Sequence, residues 1–74
     1  MYPYVEDALL QGYAGFLCYL LWIDKQKEGA WKSDADACRY HANALHYFGK
    51  SVALLPMDMF VYYYAEVRFV CTRN

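Results

Sequence analysis

The sequence predicts an all-α domain of three helices, arranged as a small bundle or as a helical hairpin with one further helix. Three features carry that expectation. Apolar residues recur at three- and four-residue steps through most of the chain. The breaks in that pattern, around Gly29 and at Pro56, hold the residue types that end and restart helices. The 74 residues suffice for one domain, 1–74, and not for two.

The first helix is expected from about Val5 to Ile23. Pro3 stands just before it, and Glu6 and Asp7 lie where the positive end of the helix dipole favours carboxylates. Leu9, Tyr13, Phe16, Leu17 and Leu20 form its expected main apolar stripe. Ala8, Gly12 and Gly15 form a second strip of small residues, which lets another backbone approach closely; it is either a docking seam or a set of glycines tolerated in a core helix. Leu10, Cys18, Leu21 and Trp22 fall outside the main stripe, so the helix is apolar nearly all round and should be enclosed by more than one neighbour.

Most of the charge gathers between Asp24 and Arg39, a stretch read as a connecting loop followed by an N-cap at Ser33 or Asp34. The second helix is expected from about Ala35 to Leu55, with Ala37, Tyr40, His41, Ala44, Leu45, Phe48 and Val52 near one side. Gly49 weakens it by about 1 kcal/mol without stopping it. Pro56 ends it and, as a first helical residue followed by Asp58, starts the third. That last segment, to Cys71, also has strand character. Strict alternation would put Val61, Tyr63, Ala65, Val67 and Phe69 on one face. A lone strand has no pairing partner here unless two subunits meet, so helix is the expected form. It would join Phe60, Tyr63, Tyr64, Val67 and Cys71, and leave Val61, Ala65 and Phe69 needing cover. The first and third helices are expected to flank the second.

Composition turns the reading toward association. The chain is 59% apolar and 20% aromatic, with nine tyrosines, while a domain of this size buries only about 60% of the surface that its unfolded chain exposes. Part of the excess must lie outside or under a partner. A net charge of -1 removes the electrostatic drive toward phosphate backbones, so nucleic acid is not an expected ligand. Cys18, Cys38 and Cys71 are odd in number and lack a CxxC pair, which suits a reducing, cytoplasmic setting. The N-terminus lacks the basic region and cleavage site of a secretory signal. Ala8 to Ile23 would rise about 24 Å as a helix, short of the roughly 30 Å of bilayer hydrocarbon, so a membrane-associated role through this helix is the alternative and not the first reading.

Ala44-x3-Phe48-x2-Ser51-x4-Pro56, followed by Tyr62-x2-Ala65-Glu66-x2-Phe69, resembles the second helix of one tetratricopeptide repeat and the first of the next, over about residues 44–69. Glu66 stands where that pattern has glycine, and Ser51 where it has alanine. The resemblance implies a helical pair that binds a protein or an extended peptide in a groove, and it carries over no catalytic residue.

Chemistry is sparse. Cys38 and His41 can share a helix face, but His46 points about 140° away from His41, so three metal ligands from this helix do not converge. A metal or enzymatic role for Cys38 and His41 is the remote alternative, since no oxyanion hole or orienting third residue is marked. No catalytic, cofactor or metal residues are therefore assigned. The expected activity is binding, to a protein partner or to itself, with Gly12, Gly15, Trp22, Trp31, Tyr62, Tyr63 and Tyr64 as contact residues. Tyr64→Ala and Gly12→Leu are accordingly expected to disturb association more than folding.

Overall fold

A computed structural model describes residues 4–27 and 35–73, with side chains as far as Phe69. It contains helices α1 (Val5–Lys27), α2 (Ala35–Leu54) and α3 (Asp58–Arg73), and no strand among the described residues. The helical alternative for the last segment is the one adopted.

Helix α1 opens with the Ala8 N–H donating to the Tyr4 carbonyl at 2.9 Å. It runs four residues past Ile23. The end of the apolar run is thus not the end of the helix: Lys25 and Lys27 sit in its last turn, where cations complement the negative end of the dipole. The expected cap at Ser33 or Asp34 lies outside the described residues; α2 itself starts at Ala35, with Asp36 in its first turn bonded to Arg39 at 2.8 Å on the surface.

The α2–α3 turn is tight. The Leu55 N–H donates to the Ser51 carbonyl, the Met57 N–H donates to the Leu55 carbonyl around Pro56, and the Val61 N–H donates to the Met57 carbonyl, each at 2.9 Å. Met57, whose carbonyl accepts the first bond of α3, is therefore the cap, and Pro56 precedes it. Proline was expected inside the first turn; its fixed φ serves the three-residue turn before the helix instead.

Helices α1 and α2 run antiparallel, as do α2 and α3, so α1 and α3 are parallel. Residue pairs show the registers. Ser51 near the end of α2 meets Ala8 near the start of α1, and His41 reaches both Trp22 of α1 and Val67 of α3. Along α1 and α3, Gly12 faces Phe60, Phe16 meets Tyr63, and Tyr19 meets Glu66. The backbones of α1 and α2 lie close together, whereas α1 and α3 are bridged mainly by rings.

The core shifts the expected polarity of α1. Its buried residues are Ala8, Gly12, Gly15 and Trp22; of the expected main stripe, Leu9 and Phe16 pack partly buried against the core, whereas Tyr13, Leu17 and Leu20 are exposed. The small-residue strip wins because α2 and α3 supply the bulk: Phe48 and Phe60, both fully buried, project at Gly15 and Gly12. A β-carbon on Gly15 would stand 2.9 Å from Phe48 Cδ1 and 3.0 Å from the Phe48 backbone nitrogen. Glycine there permits the close approach, and the fully buried phenylalanines each contribute about 1.5–3 kcal/mol of apolar burial.

On α2, Ala37, Ala44, Phe48 and Ser51 are buried, with Tyr40, His41, Leu45 and Val52 half-buried around them. Ser51 tolerates full burial because its hydroxyl donates to the Ala8 carbonyl at 2.7 Å. On α3, Phe60 and Val67 are buried and join Ala44 and Phe48 in one cluster, with Tyr63 and Tyr64 packed against it. Cys71 lies beyond the described side chains.

Candidate functional site: an uncovered apolar surface

Helix α1 was expected to be enclosed by more than one neighbour; α2 and α3 both pack on it, and its far side is left open. Opposite its small-residue face lie Leu10, Tyr13, Leu17, Leu20 and Leu21, all exposed. Glu6 and Asp24 end this patch, and no charged residue lies between Asp7 and Asp24. On α3 the residues that needed cover stay exposed: Val61, Ala65, and Phe69 at 60%, beside Tyr62 at 61%. Isolated surface leucines are ordinary in soluble folds; an apolar patch several side chains wide is the feature that marks a contact surface.

Between α1 and α3 lies a groove of about 520 Å³, lined by Tyr19, Trp22, Ile23 and Gln26 on one side and Tyr62, Ala65, Glu66 and Phe69 on the other. It exists because the two parallel helices are held apart by ring pairs, Tyr19 with Tyr63 at 5.0 Å and Phe16 with Tyr63 at 5.2 Å between centroids. Its size suits one or two bulky side chains of a partner.

One polar cluster stands in the groove wall. The Tyr19 hydroxyl donates to Glu66 Oε2 at 2.8 Å and the Tyr62 hydroxyl to Glu66 Oε1 at 3.3 Å, so one carboxylate receives two phenols. Burial, then the hydrogen bond to Glu66 and its negative charge, push the Tyr19 phenol up to about 12. The charge of Glu66, with its hydrogen bond, pushes the Tyr62 phenol up as well. Both phenols stay neutral donors through the physiological range. The cluster fixes one carboxylate in a groove otherwise lined by Trp22, Ile23, Gln26, Ala65 and Phe69.

The residues expected to touch a partner separate into distinct groups. Gly12, Gly15 and Trp22 are buried within the chain, against Phe60, Phe48 and His41. This corrects the assignment of Gly12 and Gly15 as outward contacts, since α2 and α3 of the same chain occupy that seam, and it leaves Trp22 as a buried residue at the floor of the groove. Gly12→Leu would consequently strike the core before any surface. Tyr63 is packed among Phe16, Tyr19 and Phe48, and Tyr64 lies half-buried beside Gly49 with the Arg68 guanidinium 5.3 Å from its ring centroid. Tyr62 alone of the three tyrosines is exposed on the groove rim. Trp31 lies outside the described residues. Leu10, Leu17, Leu20, Leu21, Tyr19, Glu66 and Phe69 were not singled out as contacts, although the three- and four-residue spacing of Leu10, Tyr13, Leu17 and Leu20 was legible.

His41 is held by its own fold. The His41 Nε2–H donates to the Val67 carbonyl at 3.1 Å and its ring packs on Trp22, 4.9 Å between centroids. His46 stacks edge-on against Tyr47. Among the described residues no three His, Cys, Asp or Glu side chains converge to hold a metal ion, and no helix is long and apolar enough to cross a membrane. Burial pushes the Cys18 thiol up, away from thiolate reactivity. Comparison with protein-family models, curated proteins and solved structures finds no match to this chain.

Proposed function

We propose that this protein acts by binding another protein through the apolar surface formed by the outer faces of α1 and α3 and the groove between them. The observation that carries this reading is the apolar bulk that α1 leaves outside: Ala8, Gly12, Gly15 and Trp22 face inward with Leu9 and Phe16 beside them, while Leu10, Tyr13, Leu17, Leu20 and Leu21 stay exposed. In the groove, the rings of Tyr19, Tyr62 and Phe69 offer large contact area with few rotors to freeze, and Glu66 adds one fixed polar determinant. A net charge of -1 favours a protein ligand over nucleic acid. The repeat-like spacing of residues 44–69 is consistent with the same role.

The test is recovery of a partner by mild cross-linking in the cells that make the protein, with Phe69→Lys as the probe. Phe69 is exposed, so its replacement should leave the helical circular dichroism unchanged while partner recovery is lost. A partner retained by Phe69→Lys, or none found at any concentration, would remove the groove from the reading.

A further inference from the structure

We infer that the outward face of α1 is a self-association seam that pairs two copies of this chain antiparallel about residue 15. This deepens the proposed contact surface by naming the occupant of its α1 half, and it rests on that reading.

Spacing is the first support. Leu10, Tyr13, Leu17 and Leu20 fall at alternating three- and four-residue steps, the a and d positions of two heptads, with Leu21 alongside. All five are uncovered: Leu10 is 69% exposed, Tyr13 52%, Leu17 63%, Leu20 46% and Leu21 46%. Such a ladder is the shape into which another helix carrying the same ladder interlocks.

Area is the second. At about 200 Å² for a fully exposed leucine or tyrosine, within the range that large side chains bury, these exposures amount to about 550 Å² per chain. A symmetric pair would cover about 1,100 Å², close to the roughly 1,000 Å² at which specific association begins. The face is large enough for a second copy and no larger than it needs.

The helix dipoles decide the direction, since an antiparallel pair sets each positive helix start beside the other chain's negative end. The last-turn Lys25 and Lys27 then lie near the partner's acidic first turn. On the seam itself the ends are acidic in either orientation: Glu6 meets the partner's Asp24 in the antiparallel register and the partner's Glu6 in a parallel one. The ladder is also symmetric about residue 15, so Leu10 meets the partner's Leu20 while Tyr13 meets the partner's Leu17. A two-fold contact of this kind is self-complementary and closed, which limits assembly to a dimer.

Sedimentation of the full chain over a wide dilution series tests the inference. The mass should rise from 8.7 kDa to twice that value with concentration. Leu17→Lys should weaken association about tenfold or more, with helical circular dichroism and low-concentration melting unchanged, because Leu17 touches little of its own fold. Leu10→Glu and Leu20→Lys should each weaken it alone and restore it when mixed, since only an antiparallel pair brings the new carboxylate to the new ammonium. A wild-type chain that stays at 8.7 kDa, or a Leu17→Lys chain that still doubles, overturns the seam. A mixture that stays monomeric overturns the antiparallel arrangement. Failure of the seam is distinguishable from failure of the groove, because Phe69→Lys alters α3 and should leave the doubling intact.

Discussion

Replacing Gly12 by alanine should destabilise the fold although alanine is the better helix former. In an open helix interior the change would gain about 1 kcal/mol. Here the added β-carbon would overlap Phe60 Cε2 and Cζ, atoms of a ring with no exposure and therefore no free direction in which to move. Overpacking of a filled core costs about 1–3 kcal/mol, and the overlap at Gly12 belongs to the upper part of that range, so after the propensity gain a net loss of up to about 2 kcal/mol remains. For a domain of this size that corresponds to a fall in Tm of up to roughly 15 °C. Gly49 supplies the internal control. A β-carbon there meets Tyr64 Oη at 3.4 Å, an ordinary contact, so Gly49→Ala should stabilise by about 0.5–1 kcal/mol. Thermal and urea unfolding followed by circular dichroism would measure both, at one fixed protein concentration because self-association shifts apparent stability. Phe60→Leu completes the cycle: it loses apolar burial alone, but combined with Gly12→Ala it should cost less than the sum of the two. A Gly12→Ala variant as stable as Gly49→Ala, or strict additivity with Phe60→Leu, would refute the steric origin of the effect.

Three further outcomes follow from buried polar groups. Gln11 Oε1 is buried without a hydrogen-bond partner, so Gln11→Met should raise stability by about 1 kcal/mol, read from the urea midpoint. Ser51→Ala should cost about 1 kcal/mol through loss of its bond to the Ala8 carbonyl, and Ser51→Val more, because the residue has no exposed surface into which added methyl groups could extend. The Tyr19 phenol, pushed up to about 12 in the folded chain from the ordinary 10, keeps its proton longer folded than unfolded. Its stabilising contribution is complete below pH 10 and is lost as pH rises toward 12. Glu66→Gln should lower the Tyr19 and Tyr62 titrations seen by phenolate absorbance, with the part of the Tyr19 elevation due to burial remaining; an unmoved titration would discount the role of Glu66.

The helices were legible because their signals are local. Periodicity, the carboxylates at helix starts and Pro56 place α1, α2 and α3 to within a few residues. The α3 contact face was legible for the same reason: Phe60, Tyr63, Tyr64 and Val67 share one side by helical spacing, and Phe60 and Val67 are the fully buried ones among its described side chains. The buried side of α1 was not. An apolar helix with bulk on one face and glycine on the other has two self-consistent dockings, and its own residues do not choose between them. The choice is made by Phe48 and Phe60, which lie far along the chain and need a notch to fill. The candidate site followed from that misassignment: once the leucines are known to face outward, they become the surface. The Tyr19–Glu66 bond joins residues 47 positions apart and leaves no local trace in the sequence.

The notch at Gly12 also constrains how this chain can vary through descent. Positions 12 and 60 share one volume, so a lineage that acquires a β-carbon at the first must already have shed ring atoms at the second, or must do so soon after. Relatives of this protein should divide into those pairing glycine with an aromatic and those pairing alanine with a smaller aliphatic. A substitution harmless in one group would be damaging in the other, and the order of the two changes would decide which paths stay open.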